Sequence, residues 1–191
     1  MTFSQSEGLL EPKHVAYTIF PQGLYIGKNN ATDLFNSYNR HNGLFERLQH
    51  RKPNWGTYFR RMTHYESDKK SVNQLDNIIT ALNSRKSICK AAYTIVIQKP
   101  GGETKRIMGG PCLNYIAIQV EPKKPVSVGL LAVYRNHDFL RRAYGNYWGL
   151  CNLLKFLANE VKADLGPLTC ISSRAYIMEK KVALKSFVEG F

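Results

Sequence analysis

Apolar residues recur at three- and four-residue steps through Val72, Leu75, Ile78, Ile79 and Leu82, which puts them on one face and predicts a helix over 72–83. A second stripe, Leu150, Leu153, Leu154, Leu157, Ala158 and Val161, predicts a longer helix from about Tyr147 to Ala163, ending before Gly166 and Pro167. Residues 91–98 are rich in β-formers and run into Pro100, Gly101 and Gly102, which reads as a strand and a turn. Leu113 to Val120 and Val126 to Tyr134 read as two more strands, joined by the polar connection from Glu121 to Pro125, and Leu168 to Met178 as a last one. Upstream, Leu34, Phe35, Tyr38, Leu44, Phe45 and Leu48 predict helix over 31–50, broken in two at Asn42 and Gly43. Val15 to Phe20 reads as a short strand leading into a loop with Pro21, Gly23 and Gly27, and the tail from Glu179 as a short helix. No segment repeats and none is of low complexity.

A chain of 191 residues with 43% hydrophobic and 12% aromatic positions has the composition of a folded domain, and its length suits a single one spanning 1–191. The 27 Lys and Arg against 14 Asp and Glu leave a net charge of +13, a field that attracts phosphorylated small molecules or nucleic acid without choosing between them. Cys89, Cys112, Cys151 and Cys170 have no CxxC spacing and no His at zinc-finger distance, so neither a disulfide framework nor a metal site is expected, and a reducing cytoplasm is the expected location. No stretch is apolar for long enough to span a bilayer, so no membrane partner is expected.

Gly109-Gly110-Pro111-Cys112 closes a loop at the start of a predicted strand, where a thiol can be held among backbone groups, although a lone cysteine beside proline is also an ordinary small core residue. Tyr134-Arg135-Asn136-His137-Asp138 ends a strand, and Arg141, Arg142 and Gly145 lead to Asn146 at the start of the long helix. Arg135 has the planar fork that clamps a phosphate, and Asn146 has an amide that can meet a base edge while also capping the helix; Arg135 and His137 are equally compatible with a solvated loop.

These residues, in this order and spacing, resemble those of the thymidylate synthase and pyrimidine hydroxymethylase family: a Pro-Cys nucleophile, an Arg-Ser-x-Asp motif about twenty residues on, then an Asn after a short loop. The resemblance covers about residues 74–178. It implies an α/β (α+β) fold with a mixed or antiparallel sheet backed by helices, assembled as a homodimer through the sheet face. It implies Cys112 as the nucleophile that adds to C6 of a pyrimidine nucleotide, so that C5 can attack a one-carbon unit carried by methylenetetrahydrofolate. Arg135 then binds the phosphate with Asn136 in the place of the family's Ser, Asp138 orients the base, and Asn146 reads its edge, as Asn accompanies uracil in the family and Asp cytosine. Asn73-Gln74-Leu75-Asp76 matches the start of the helix before the family's Arg-Arg pair, and Cys89-Lys90 stands where that pair would be. Lys90 thereby becomes a candidate ligand for the phosphate of the other subunit.

The chain also departs from the family. No Glu matches the catalytic one, Glu46 being the sole Glu in the 31–50 region. Tyr176 and Met178 replace the His and Tyr that hold the sugar hydroxyl, Arg142 replaces a Gly beside the folate, and the paired tryptophans and the C-terminal closing segment have no match. Besides an enzyme acting at pyrimidine C5, two readings therefore stand: a non-catalytic nucleotide-binding protein, and a nucleic-acid binder using Arg40, Arg47, Arg51, Lys52, Arg60 and Arg61 among Phe45, Trp55, Tyr58 and Phe59.

Overall fold

The computed structural model describes residues 11–28, 30–48, 55–66, 70–84, 93–99, 110–177, 185–186 and 188–189, with side chains in the third helix described as far as residue 41. Its elements in chain order are α1 (Pro12–Ile19), α2 (Gln22–Tyr25), α3 (Ala31–Leu48), α4 (Tyr58–Thr63), β1 (Tyr65–Glu66), β2 (Ser71–Val72), α5 (Gln74–Ser84) and β3 (Tyr93–Val96). There follow β4 (Leu113–Glu121), β5 (Ser127–Tyr134), β6 (His137–Asp138), α6 (Ala143–Glu160), β7 (Asp164–Ser172) and β8 (Ala175–Tyr176).

The main sheet has the order β3-β4-β5-β7 and is mixed: β4 is antiparallel to both β3 and β5, while β7 joins β5 in parallel. A parallel neighbour needs a crossover, and α6 supplies it. The register puts Tyr93, Ile95, Ile116, Ile118, Leu130, Ala132 and Tyr134 on one face, and all are buried. Helices, mixed sheet and one contiguous core give an α+β architecture, consistent with the fold the resemblance implies. The opposite face carries a row Val96, Tyr115, Val133 and Ile171, of which Val96 is 39% and Ile171 50% exposed.

Under the covered face, Phe20, Tyr25, Phe35, Phe59 and Phe156 form a cluster of edge-on and tilted rings with centroids 5.1–6.4 Å apart. The Glu160 carboxylate, at the end of α6, accepts from Tyr25 Oη (3.1 Å) and from the Ala31 N–H (3.0 Å). It thus satisfies an orphan donor at the start of α3 and places a negative charge at that helix's positive end. At the outer edge of β3, the Gln74 amide accepts from Val96 N and donates to Val96 O (both 2.9 Å), so a side chain stands in for the missing strand partner.

Four expectations are corrected. Val15 to Phe20 lies in helix and its cap, not in a strand: Pro12 stands at the first helical turn, and Val15, Ala16 and Ile19 pack on α6. Helix α3 is continuous across Asn42 and Gly43. Helix α6 begins at Ala143 with Arg142 at its cap, so Asn146 sits inside the first turns and does not cap the helix. Gly166 and Pro167 lie within β7, which starts at Asp164. An edge strand tolerates a proline's missing N–H, and Gly166 faces Gly129 so closely that a Cβ on either would fall 2.8–2.9 Å from a backbone oxygen across the pair. The helix at 72–83 and the strands at 113–120 and 126–134 appear within a few residues of their expected bounds. The tail beyond Glu179 and the start of the 91–98 segment lie largely outside the described residues.

Candidate active site around Cys112

One end of the sheet gathers the start of β4, the end of β5, the β6/β8 pair and the first turns of α6. Cys112 immediately precedes β4, and its carbonyl accepts from Arg135 N at 2.9 Å, which ties the Cys112 loop to the residue after β5. From the opposite side, the hydroxyl oxygen of buried Tyr58 accepts from the backbone N–H of Cys112 (3.3 Å) and of Leu113 (3.4 Å). Burial pushes the Tyr58 hydroxyl up to about 12, so it remains a phenol there, its own proton still available to a neighbour.

Arg135 is exposed, but its Nε donates to Pro111 O at 2.9 Å, and Gly110 lies so near that a Cβ there would stand 3.2 Å from Nη2. The guanidinium is thus aimed by one anchored nitrogen while the rest of its fork can take an anion. Asn136 follows, with Oδ1 buried and without a hydrogen-bond partner among the described residues. Asp138 is buried, and its Oδ1 accepts from Arg141 N at 3.1 Å. Tyr176 pairs with Asp138 in the short parallel β6/β8 ladder, and the Arg174 guanidinium lies over its ring, 5.5 Å from the centroid.

Burial raises the Cys112 thiol, Arg135 and then Arg142 pull it down, and Asp138 pushes it up again, with the net result raised. Arg135 and Arg142 favour the thiolate, and desolvation outweighs them. Burial likewise raises Tyr176, with Asp138 and Cys112 adding to the rise and Arg142 and Arg174 opposing it. These mutual influences put Cys112, Arg135, Asp138, Arg142 and Tyr176 in one electrostatic neighbourhood.

Asn146 and His137 lie behind this cluster, 3% and 1% exposed. The imidazole is stacked on Tyr134, centroids 4.2 Å apart and planes 4° from parallel, with its Nδ1 2.8 Å from Ser172 Oγ and its Nε2 3.0 Å from Asn146 Nδ2. His137 is thus interior and not a solvated loop residue. The reason is local: β6 pairs with β8 through His137 N donating to Arg174 O and Phe139 N to Tyr176 O, which turns the segment inward.

Of the residues singled out in the sequence, Cys112, Arg135, Asn136, Asp138, Asn146 and Tyr176 all fall at this end of the sheet, while Lys90 and Cys89 lie outside the described residues, as does the side chain of Glu46. The carboxylate that Cys112 senses, among the described residues, is Asp138. Sequence reasoning missed the roles of Tyr58, Ser172, Arg174 and His137; nothing in their local pattern marks residues that meet Cys112 or Asn146 only across the fold. Part of the proposed basic and aromatic surface is in fact interior: Phe59 and Tyr58 are buried, and buried Arg61 donates to Trp55 O at 3.0 Å. Among the described residues no cluster of His, Cys, Asp and Glu could hold a metal ion, and no helix is long and apolar enough to cross a membrane.

No family model matches the chain. It is similar to a protein named "putative thymidylate synthase" from Methanococcoides burtonii, 28% identical over 123 residues, which is 64% of this chain and 52% of that protein. Proteins of the same name from Methanosarcina mazei (27%) and Methanosarcina barkeri (28%) match over the same length. The chain spans about half the length of the curated relatives it matches.

Proposed function

We propose that the chain binds a pyrimidine nucleotide and forms a covalent adduct between Cys112 Sγ and C6 of the base, the chemistry of thymidylate synthase-like transfer of a one-carbon unit to C5. The observation that carries this reading is the meeting of Cys112, Arg135, Asp138 and Asn146, drawn from three separate stretches of chain, at one end of the sheet. The names of the similar archaeal proteins point the same way.

Arg135 would hold the phosphate with the part of its fork not engaged by Pro111, and Asn146 would read the base edge. The thiol must lose its proton before it adds, and Arg135 and Arg142 are the charges that favour this against burial. Addition at C6 forms the S–C6 bond and moves the C5–C6 electron pair toward C5 and the C4 oxygen, which makes C5 nucleophilic. A polar amide at that edge stabilises the developing charge. Asp138 is held by the Arg141 N–H and is placed to orient groups around the base.

Methylenetetrahydrofolate is the one-carbon donor that the resemblance implies. Arg142, exposed at the cap of α6 and close enough to act on Cys112, Tyr58 and Tyr176, brings a cation to the side where the family keeps a glycine. The uncovered apolar row Val96, Tyr115, Val133 and Ile171 supports assembly as a homodimer through the sheet face, the arrangement in which Lys90 would reach the partner's phosphate.

The test is intact-mass analysis after incubation with 5-fluoro pyrimidine monophosphates. An adduct of one nucleotide on the wild type and none on Cys112→Ala supports the reading. A folded wild-type protein that binds these nucleotides and never gains mass would leave a nucleotide-binding protein without the chemistry.

A further inference from the structure

His137 is buried, belongs to none of the reacting groups, and is held on every side. Tyr134 lies flat against the ring, and the edges of Phe139 and Tyr147 meet it at centroid distances of 5.2 and 5.6 Å. Both ring nitrogens are engaged, Nδ1 with Ser172 Oγ and Nε2 with the Asn146 amide. Beyond that amide, Asn146 Oδ1 is buried with no partner among the described residues, an acceptor left for something else to satisfy. Burial keeps the imidazole neutral, with its pKa below the usual histidine value although Asp138 opposes the shift.

A neutral imidazole carries one N–H, so the two bonds have to run in the same sense along the relay. With the proton on Nδ1, the ring donates to Ser172, and Nε2 accepts from Asn146 Nδ2. The amide oxygen is then the atom offered to a ligand. With the proton on Nε2, Ser172 donates to the ring and Nε2 donates to the amide oxygen, so the amide turns over and offers N–H instead. The first arrangement requires a donor on the ligand, the second an acceptor. Uracil and cytosine differ at ring atom N3 in this respect: one carries N–H, the other a lone pair.

The Asn146 amide decides between them. Its Nδ2 faces His137 Nε2 at 3.0 Å, and an amide nitrogen can only donate, so Nε2 accepts and the one ring proton sits on Nδ1, where Ser172 Oγ takes it at 2.8 Å.

We propose that His137 is a positioning residue that carries its proton on Nδ1, and that the Ser172–His137–Asn146 relay fixes which end of the Asn146 amide faces a nucleobase. Asn146 alone would be free to turn over; the relay makes it discriminate. The inference rests on the reading above that Asn146 meets a pyrimidine edge.

Two measurements test it in the full chain. Nitrogen-15 spectra of histidine-labelled protein report which ring nitrogen bears the proton; Nδ1–H is expected for His137, moving to Nε2–H in Ser172→Ala and retained in Ser172→Thr. Calorimetry with uridine and cytidine monophosphate should show the uridine form preferred by roughly tenfold to a hundredfold, the range for a two-point base contact. That preference should be lost or inverted in Ser172→Ala and kept in Ser172→Thr. A proton on Nε2 in the wild type overturns the proposal. So does a preference unchanged in Ser172→Ala when both nucleotides still bind, and that outcome leaves the pyrimidine reading standing. If neither nucleotide binds the wild type, the pyrimidine reading and the specificity claim fall together, and the spectra alone then show whether the relay exists.

Discussion

Replacing Gly145 by alanine tests the seam that sets the position of the Asn146 turn. A Cβ at 145 would stand 2.5 Å from Val15 Cβ, 2.6 Å from Pro12 O and 3.0 Å from Val15 Cγ1. At 149, one turn on, a Cβ would stand 2.8 Å from both Ala16 O and Ile19 Cβ. Ordinary contacts begin at 3.4 Å, so α1 would have to retreat by about 1 Å, and the crowding atoms at 145 belong to the backbone and to a β-branched Cβ that cannot swing aside. Overpacking of this kind costs about 1–3 kcal/mol, while removing a glycine from a helix interior returns about 1 kcal/mol. Contacts as short as 2.5 Å put the cost in the upper part of that range, about 2–3 kcal/mol, so the net expectation is a loss of about 1–2 kcal/mol, or a Tm lower by roughly 2–8 °C for a chain of this size. Gly149→Ala should behave similarly, and the double variant should cost less than the two together, because a helix already displaced by one methyl meets the second less closely. Gly23→Ala is the control: nothing lies within 4 Å of its Cβ position, so the substitution should be neutral or stabilising by up to about 1 kcal/mol. Thermal and urea unfolding followed by circular dichroism give the numbers. A Gly145→Ala protein as stable as the wild type would refute the close packing of α1 on α6 and the placement of Asn146 that depends on it.

Removing Arg142 takes away a charge that lowers the Cys112 thiol, so in Arg142→Ala the already raised pKa rises further and iodoacetamide alkylation of Cys112, mapped by mass to separate it from exposed Cys151, slows several-fold near neutral pH; an unchanged pH–rate profile would contradict this. His137 has a folded pKa below the ordinary value of about 6.5, so the unfolded chain takes up that proton first as pH falls. Its contribution to stability is complete above that value and is lost as pH drops toward the folded pKa, with a slope of at most about 1.4 kcal/mol per pH unit. His137→Gln should flatten that part of a urea-midpoint profile. Ile171→Glu puts a charge on the exposed β7 end of the uncovered sheet face and should shift the sedimentation behaviour to that of a monomer without lowering Tm by more than a few degrees; a wild type that already sediments as a monomer removes the dimer from the proposed function.

What the sequence showed was what neighbouring residues decide among themselves. Leu75, Ile78, Ile79 and Leu82 are buried on one face of α5, as their spacing requires, and the alternation along β4 and β5 survives as a covered and an uncovered face. The errors are places where distant partners decide. Val15-Ala16-Tyr17-Thr18-Ile19-Phe20 is made of strand-forming residues, and it becomes the end of a helix because Gly145 and Gly149 open a groove for it in α6. Gly166-Pro167 has the look of a stop, and it runs on as strand because Gly129 leaves room on the neighbouring one. The site divides in the same way. Cys112, Arg135, Asp138 and Asn146 were visible through order and spacing, whereas Tyr58 reaches the Cys112 backbone from 54 residues upstream and Ser172 reaches His137 from 35 residues downstream.

The electrostatics of Cys112 bear on why Arg142 matters to the proposed chemistry. In the free protein two cations, Arg135 and Arg142, pull on a thiol that burial and Asp138 push up, and they do not prevail. A phosphate dianion bound at Arg135 would neutralise that arginine's influence at the moment the thiolate is needed. Among the described residues, Arg142, at the cap of α6, is then the remaining cation that Cys112 senses. The same guanidinium that stands where the resemblance places a glycine is therefore what would keep a buried thiol within reach of ionisation once a nucleotide is in place.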